Sequence, residues 1–217
     1  MGIGWPPMAT STALWSFALV VGLLTLTPGL DTALILRTSA LGRRRRSWGV
    51  VLGIQTGTLL WGALTSLGVT ALLTASHVAY VTLRWVGAAY LVWMGARMLW
   101  DTFRGNSAEA EPASLTGPDT LGSGWRLGAL TNLLNPKMGA FYVAVLPQFI
   151  PAGTGHFTMG LLLTGVHILL GLVWAAVLVG FARVVHGWLR TPRARRLLDR
   201  VTGTVIAGFG IRLALSD

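Results

Sequence analysis

The chain has 217 residues, 53% hydrophobic and only 11% charged, which leaves too few polar side chains to cover a soluble surface. It contains no cysteine, and this excludes disulfides, thiolate metal ligands and thiol redox chemistry. The net charge of +10 comes from arginines gathered between apolar runs, a pattern of membrane orientation rather than of nucleic-acid binding. Ten tryptophans and 28 glycines fit an integral membrane protein, since Trp marks membrane interfaces and Gly is common in membrane helices.

Met1 to Ser11 carries no charged side chain. Without the basic opening of a secretory signal, the first apolar segment is expected to stay as a helix. That segment covers 12–36 and is interrupted at Pro28-Gly29; Arg37 and the run Arg43, Arg44, Arg45 and Arg46 follow it. A second segment, 48–74, carries Gly49, Gly53 and Gly57 at four-residue spacing. These glycines form a smooth stripe that lets another helix approach, within the chain or from a second copy in a homo-oligomer. The third segment is 78–100.

Residues 105–124 are small, polar, acidic and rich in Pro and Gly, so they read as a flexible linker. The fourth segment, 125–149, is interrupted at Asn135-Pro136-Lys137, and the fifth covers 157–185. A loop with Arg190, Arg193, Arg195, Arg196 and Arg200 leads to a short sixth segment, 201–215. Roughly 20 apolar residues cross a bilayer, so six spans are expected, or five if the last does not cross.

Arginine-rich loops face the cytoplasm, which places both termini outside. Trp48, Trp100, Trp125 and Trp188 then fall near the cytoplasmic interface. Two halves of three spans each must be oppositely oriented. Pro28 is followed by Thr56-Gly57, and Pro136 by Thr164-Gly165, at the same offset. The expected fold is therefore an all-α integral membrane protein of two inverted three-helix repeats, 1–104 and 125–217, joined by the linker 105–124, with broken first and fourth helices.

A proline inside a membrane helix frees backbone groups that must find partners, and such breaks are tolerated where they line a cavity. Thr27-Pro28 and Asn135-Pro136 both resemble an N-cap followed by proline at the first helical position. Each would restart a helix with free N–H groups facing the interior. Asp31 falls in the first turn of one restarted helix, as a structural cap or as a site carboxylate. Lys137, the sole lysine, is wrong-signed for a helix N-terminus. It therefore needs Asp31 or an anionic substrate group as partner.

A zwitterionic amino acid suits this pair. Candidate substrate-binding residues are Pro28, Gly29, Asp31, Gln55, Asn132, Asn135, Pro136 and Lys137. Gln55 and Asn132 could equally serve interhelical hydrogen bonds. Asp31 and His167 are the candidate proton relay, with a packed, hydrogen-bonded role for His167 as the alternative. The arginine run Arg43 to Arg46 serves topology and contact with lipid headgroups.

Two motifs carry a family resemblance. Thr27-Pro28-Gly29-Leu30-Asp31 resembles the Pro-Gly-Pro-Asp segment of the lysine exporter / homoserine–threonine exporter (LysE/RhtB) family, with Leu30 where a second proline is usual. Asn132 to Lys137, continuing to Leu146-Pro147-Gln148-Phe149, resembles that family's Asn-Pro-Lys…Pro-Gln-Phe segment. The resemblance covers nearly the whole chain. It implies a secondary exporter of amino acids or their derivatives, driven by protons, in the bacterial inner membrane, without cofactor or metal. With Asp31 as the only membrane carboxylate, a neutral amino acid is favoured over a basic one. Alternatives are an exporter of metal or other inorganic ions and a structural membrane subunit. An enzyme would need a nucleophile–base set or a metal triad in the membrane.

Overall fold

A computed structural model describes residues 10–75, 77–104, 118–151, 153–182, 184 and 191–215. The described residues are helical or in turns, with no strand. In chain order the helices are α1 (Thr10–Leu26), α2 (Leu30–Ala40), α3 (Arg44–Ala75), α4 (His77–Arg104), α5 (Leu121–Leu133), α6 (Pro136–Ala140), α7 (His156–Gly180) and α8 (Pro192–Leu215). A π-helical turn, Phe141–Val145, and a 3-10 turn, Leu146–Phe149, follow α6 without a gap.

Among the described residues two stretches, Arg44–Gly68 of α3 and all of α7, are long and apolar enough to cross a membrane, and α1 with α2 makes a third if the pair, bent by 53°, is one span. α4 and α8 are long enough, at 28 and 24 residues. They carry Arg84, Arg97 and Arg104, and Arg193, Arg195, Arg196, Arg200 and Arg212, respectively, so length and composition alone do not mark them as spans. Trp15, Leu19, Leu64, Leu169 and Val173 stand exposed on the outside of the bundle, where lipid rather than water suits them.

The contacts fix the direction of each helix pair. Gly49, Gly53 and Gly57 of α3 meet Leu121, Trp125 and Asn132 of α5 in ascending order, so these helices run parallel. Gln55, Gly62 and Ser66 of α3 meet Gly171, Thr164 and Gly160 of α7 in descending order, so that pair is antiparallel. Gly95 of α4 meets Gly203 and Ala207 of α8, while Gly210 meets Val92 and Ala88; this pair is antiparallel too.

The glycine stripe thus packs α3 on α5 within one chain. Gly124 and Gly128 of α5 answer it by receiving Arg46 and Val50. A Cβ on Gly53 would overlap the Trp125 carbonyl and the Ala129 amide nitrogen, both backbone atoms, so neither helix can yield by a rotamer change. Gly53→Ala is expected to destabilise the fold by about 1–3 kcal/mol and to lower the folded fraction in detergent on heating. Gly22→Ala, where nothing lies within 4 Å, is the matched control.

Two apolar clusters flank the centre. One joins Phe17 and Val21 of α1 to Phe141, Leu146, Phe149 and Leu163, with Phe17 edge-on to Phe149 at 5.4 Å. The other joins Leu34 and Ile35 of α2 to Val50, Val51, Ala175 and Leu178. Buried hydroxyls at Thr27, Thr38, Ser66 and Thr164 donate to the carbonyl four residues earlier, the usual solution where no water is at hand.

Three expectations are corrected. Thr27 is not an N-cap: it ends α1, its hydroxyl donating to Leu23 O. The restarted helix begins at Leu30 behind Gly29, which caps with extended backbone and no side-chain bond. The fourth segment does not resume as an ordinary helix, because α6 lasts five residues before the π and 3-10 turns. Pro147, lacking an N–H, favours such a change of winding. Finally, α5 begins at Leu121, inside the expected linker, with the Thr120 side chain accepting from Ser123 N. Beside it the Asp119 carboxylate accepts from Arg46 N at 2.9 Å, on the first turn of α3, where an acidic group is favoured. The rest of the linker, 105–117, lies outside the described residues, as does Trp188.

Candidate functional site at the two helix breaks

Pro28 sets the first half of the site. In an unbroken helix residue 28 would donate its N–H to Leu24 O, and proline has none to give. The Lys137 ammonium takes that place. Nζ donates to Leu24 O at 3.2 Å and, over a longer 3.5 Å, to Thr27 O. The cation that is wrong-signed for its own short helix therefore sits at the C-terminal end of α1, where the carbonyl dipoles favour it. Gly29 lies beside it: a Cβ there would stand 3.9 Å from Nζ.

Asn135 builds the second half. Its side-chain oxygen accepts from Lys137 N at 3.1 Å, with Pro136 at the first helical position, as the sequence led one to expect. Asn132, one turn earlier and wholly buried, ties three elements together. Its Nδ2 donates to Asp31 Oδ2 at 2.9 Å and, over 3.4 Å, to Thr58 Oγ1; its carbonyl accepts from Trp61 Nε1 at 3.4 Å. Asp31 stands in the first turn of α2, within electrostatic reach of Lys137.

These groups surround a cavity of about 70 Å³. Of the nine residues singled out, seven line it: Gly29, Asp31, Gln55, Asn132, Asn135, Lys137 and His167. Pro28 and Pro136 do not; they shape the breaks, and Pro136 lines a separate, open recess with Tyr90 and Gly139. Gln55 reaches in from α3 opposite Gly171, whose missing side chain leaves it room. Thr25, Thr58, Met138 and Trp174 complete much of the wall. Only burial brings them here, and nothing in the sequence marks them.

His167 is buried on α7. Its Nδ1 shares a hydrogen bond of 3.0 Å with Tyr142 OH, and the two rings stack at 5.7 Å and 13°. It is both packed and cavity-lining. Tyr142 lies in the π-helical turn, so the change of winding after α6 brings this hydroxyl to His167. No motif foretold the pairing. The matched Thr56 and Thr164 have unlike surroundings: Thr56 is partly exposed and accepts from Trp125 Nε1, whereas Thr164 is buried against Gly62.

The LysE type translocator family model matches residues 22–217, a range that includes both breaks. The chain is similar to the uncharacterized membrane protein YrhP of Bacillus subtilis, at 24% identity over 94% of this chain and 99% of the relative. It is similar to the homoserine/homoserine lactone efflux protein of Salmonella typhi, at 27% identity over 92% and 96%. A third relative is the leucine efflux protein of Enterobacter sp., at 29% identity over 92% and 94%. No solved structure matches.

Proposed function

Because the chain belongs to the LysE type translocator family, and so is a membrane transporter rather than an enzyme, we propose that it exports amino acids or their derivatives in exchange for protons. One observation carries this reading. A carboxylate, Asp31, and an ammonium, Lys137, flank one cavity formed where two helices are broken. Charge at membrane depth costs at least about 2.5 kcal/mol per group on insertion scales, a cost that transport of a zwitterion would justify. The substrate ammonium would take Asp31, and its carboxylate would take Lys137 and the amides of Asn132 and Asn135. Gln55 and Gly29 would line the path, while Pro28 and Pro136 hold the breaks open. The efflux relatives named above support an amino-acid substrate.

The test is efflux of a mixed amino-acid pool from cells loaded with dipeptides, with and without this protein. A selective rise outside, lost when the proton gradient is collapsed, is expected. No change for any amino acid, with the protein present in the membrane, would overturn the reading.

Six spans in two inverted repeats agree with the helix directions. A chain that crosses six times in alternation makes α3 parallel to α5 and antiparallel to α7, and sets α4 against α8, as the contacts have them. The domains would be 1–104 and, from the start of α5, 121–217, joined by the shortened linker, in the bacterial inner membrane with both termini outside. Since the chain has no cysteine, single cysteines report sidedness cleanly. Gly122→Cys is expected to label only from the cytoplasm and Gly155→Cys only from outside. Gly153, with φ +81°, is avoided because a side chain is strained there. The reverse labelling pattern would invert the topology.

For the proton path, Asp31 is the exchanging carboxylate and His167, paired with Tyr142, its relay. His167→Ala is expected to shift the pH profile of export. An unchanged profile would leave His167 as packing only.

A further inference from the structure

Helix α4 carries a pattern that neither break uses. Tyr90, Trp93, Arg97, Trp100 and Arg104 stand at i, i+3, i+7, i+10 and i+14, one stripe along a helix. The packed sides of α4 lie elsewhere: Ala88, Val92 and Gly95 meet α8, and Gly87 meets Ala144. On the stripe Trp93 and Trp100 are half-exposed, and Arg97 and Arg104 are exposed. Each guanidinium lies over the ring one turn before it, Arg97 at 5.4 Å from Trp93 and Arg104 at 4.6 Å from Trp100. Tyr90 in turn leans on Trp93 at 5.5 Å, and it borders the open recess of about 290 Å³ that it shares with Gly139 and Val143.

The stripe therefore leads from a cationic end to an apolar hollow. From Arg104 to Tyr90 it spans about 21 Å, half of the 40–45 Å that a bilayer measures with its headgroups. The cationic end is wider than α4 alone. α8 runs antiparallel beside it, with Gly95 against Gly203 and Ala207, so Arg200 and Arg196, both exposed, come level with Trp100 and Arg104. Across 97–104 and 193–200 six arginines stand against two aspartates.

We propose that this stripe is a binding site for one anionic phospholipid of the surrounding leaflet, its phosphate at the arginine end and an acyl chain running along the Trp rings into the Tyr90 recess. This rests on the six-span reading above, in which the C-terminal end of α4 lies at the cytoplasmic interface. The planar fork of arginine donates to phosphate bidentately, and Trp rings are at home at the headgroup level. The chain length fits as well, since half a bilayer separates the phosphate level from the recess. A second copy of the protein suits the stripe poorly. A two-fold contact would set the arginines of one copy against those of the other, with no carboxylate excess to offset them.

Native mass spectrometry of the full chain in detergent tests this, with phosphatidylglycerol or phosphatidylcholine of the same acyl chains added. Bound phosphatidylglycerol is expected to exceed bound phosphatidylcholine at least about fivefold. Arg97→Gln with Arg104→Gln should bring that ratio close to one. Arg44→Gln with Arg45→Gln, which removes the same charge from the exposed start of α3, should leave it unchanged. Excess inorganic phosphate should not displace the lipid, because it lacks the acyl chain. A wild-type ratio near one overturns the proposal, even if a variant fails to reach the membrane. A ratio that survives the α4 substitutions, or falls equally in the α3 control, makes the preference one of overall charge and overturns it too. Displacement by phosphate reduces the site to an anion contact, and a dimer that forms in place of lipid binding gives the stripe to a second copy; either overturns it. Failure of the six-span reading shows instead in the cysteine labelling, which the lipid ratio does not touch.

Discussion

Lys137→Met is expected to reduce export at least tenfold, and up to about 100-fold, while the protein still reaches the membrane. The ammonium has two tasks. It closes the end of α1 by taking Leu24 O and Thr27 O, and it is the cation that faces the cavity. Hydrogen bonds to charged groups contribute about 1.5–3 kcal/mol, and each 1.4 kcal/mol is about tenfold in an equilibrium constant. Methionine fills similar space but leaves Leu24 O without its donor.

A second substitution separates the two tasks. Pro28→Ala returns an N–H at the position from which an unbroken helix would bond Leu24 O. In the Lys137→Met background it should therefore recover thermal stability in detergent without recovering export. Recovery of both would make Lys137 a helix cap and nothing more. Normal export by Lys137→Met alone would remove it from the site.

Asp31→Asn carries the next largest expected effect, a loss of export of at least about tenfold with little loss of stability. The substituted side chain keeps an acceptor for Asn132 Nδ2, now 2.9 Å from Asp31 Oδ2, so the link between α2 and α5 can persist. What is lost is the negative charge. In the first turn of α2 that charge contributes about 0.3–1 kcal/mol through the helix dipole, a small change in melting behaviour. Among the described residues it is the only carboxylate on the cavity wall, and a transported ammonium or proton needs it. The two roles thus predict different outcomes for one variant. Full export with slight destabilisation would make Asp31 a cap. Asn132→Ala offers the contrast: it breaks the bonds to both Asp31 and Thr58 and leaves buried polar atoms unpaired. It should lose stability by about 1–3 kcal/mol along with export.

The two interruptions show how far local chemistry reaches. Asn135-Pro136 reads as a cap and a first helical residue, and it folds that way, because a side-chain oxygen two residues from the amide it accepts from is a local matter. Thr27-Pro28 has the same local appearance and folds differently. Its hydroxyl turns back to Leu23 O, and its free carbonyls are met by a lysine more than a hundred residues away in sequence. The glycine stripe on α3 was legible as a close-contact face. Its partner, the stripe of Gly124 and Gly128 on α5, straddles the edge between the small, polar stretch 105–124 and the apolar run after it, so neither segment alone displays it.

By itself the sequence determined the membrane environment, the helical class, the two breaks and most of the residues that meet at the cavity. Those features rest on composition, on missing proline N–H groups and on charges that lipid will not tolerate alone. The tertiary structure decided which group satisfies which. It gave Lys137 to the end of α1, Asn132 to Asp31 and Thr58, and Tyr142 to His167. Partners of that kind are chosen by distance in the folded bundle, between residues on different helices, and a linear pattern holds no measure of it.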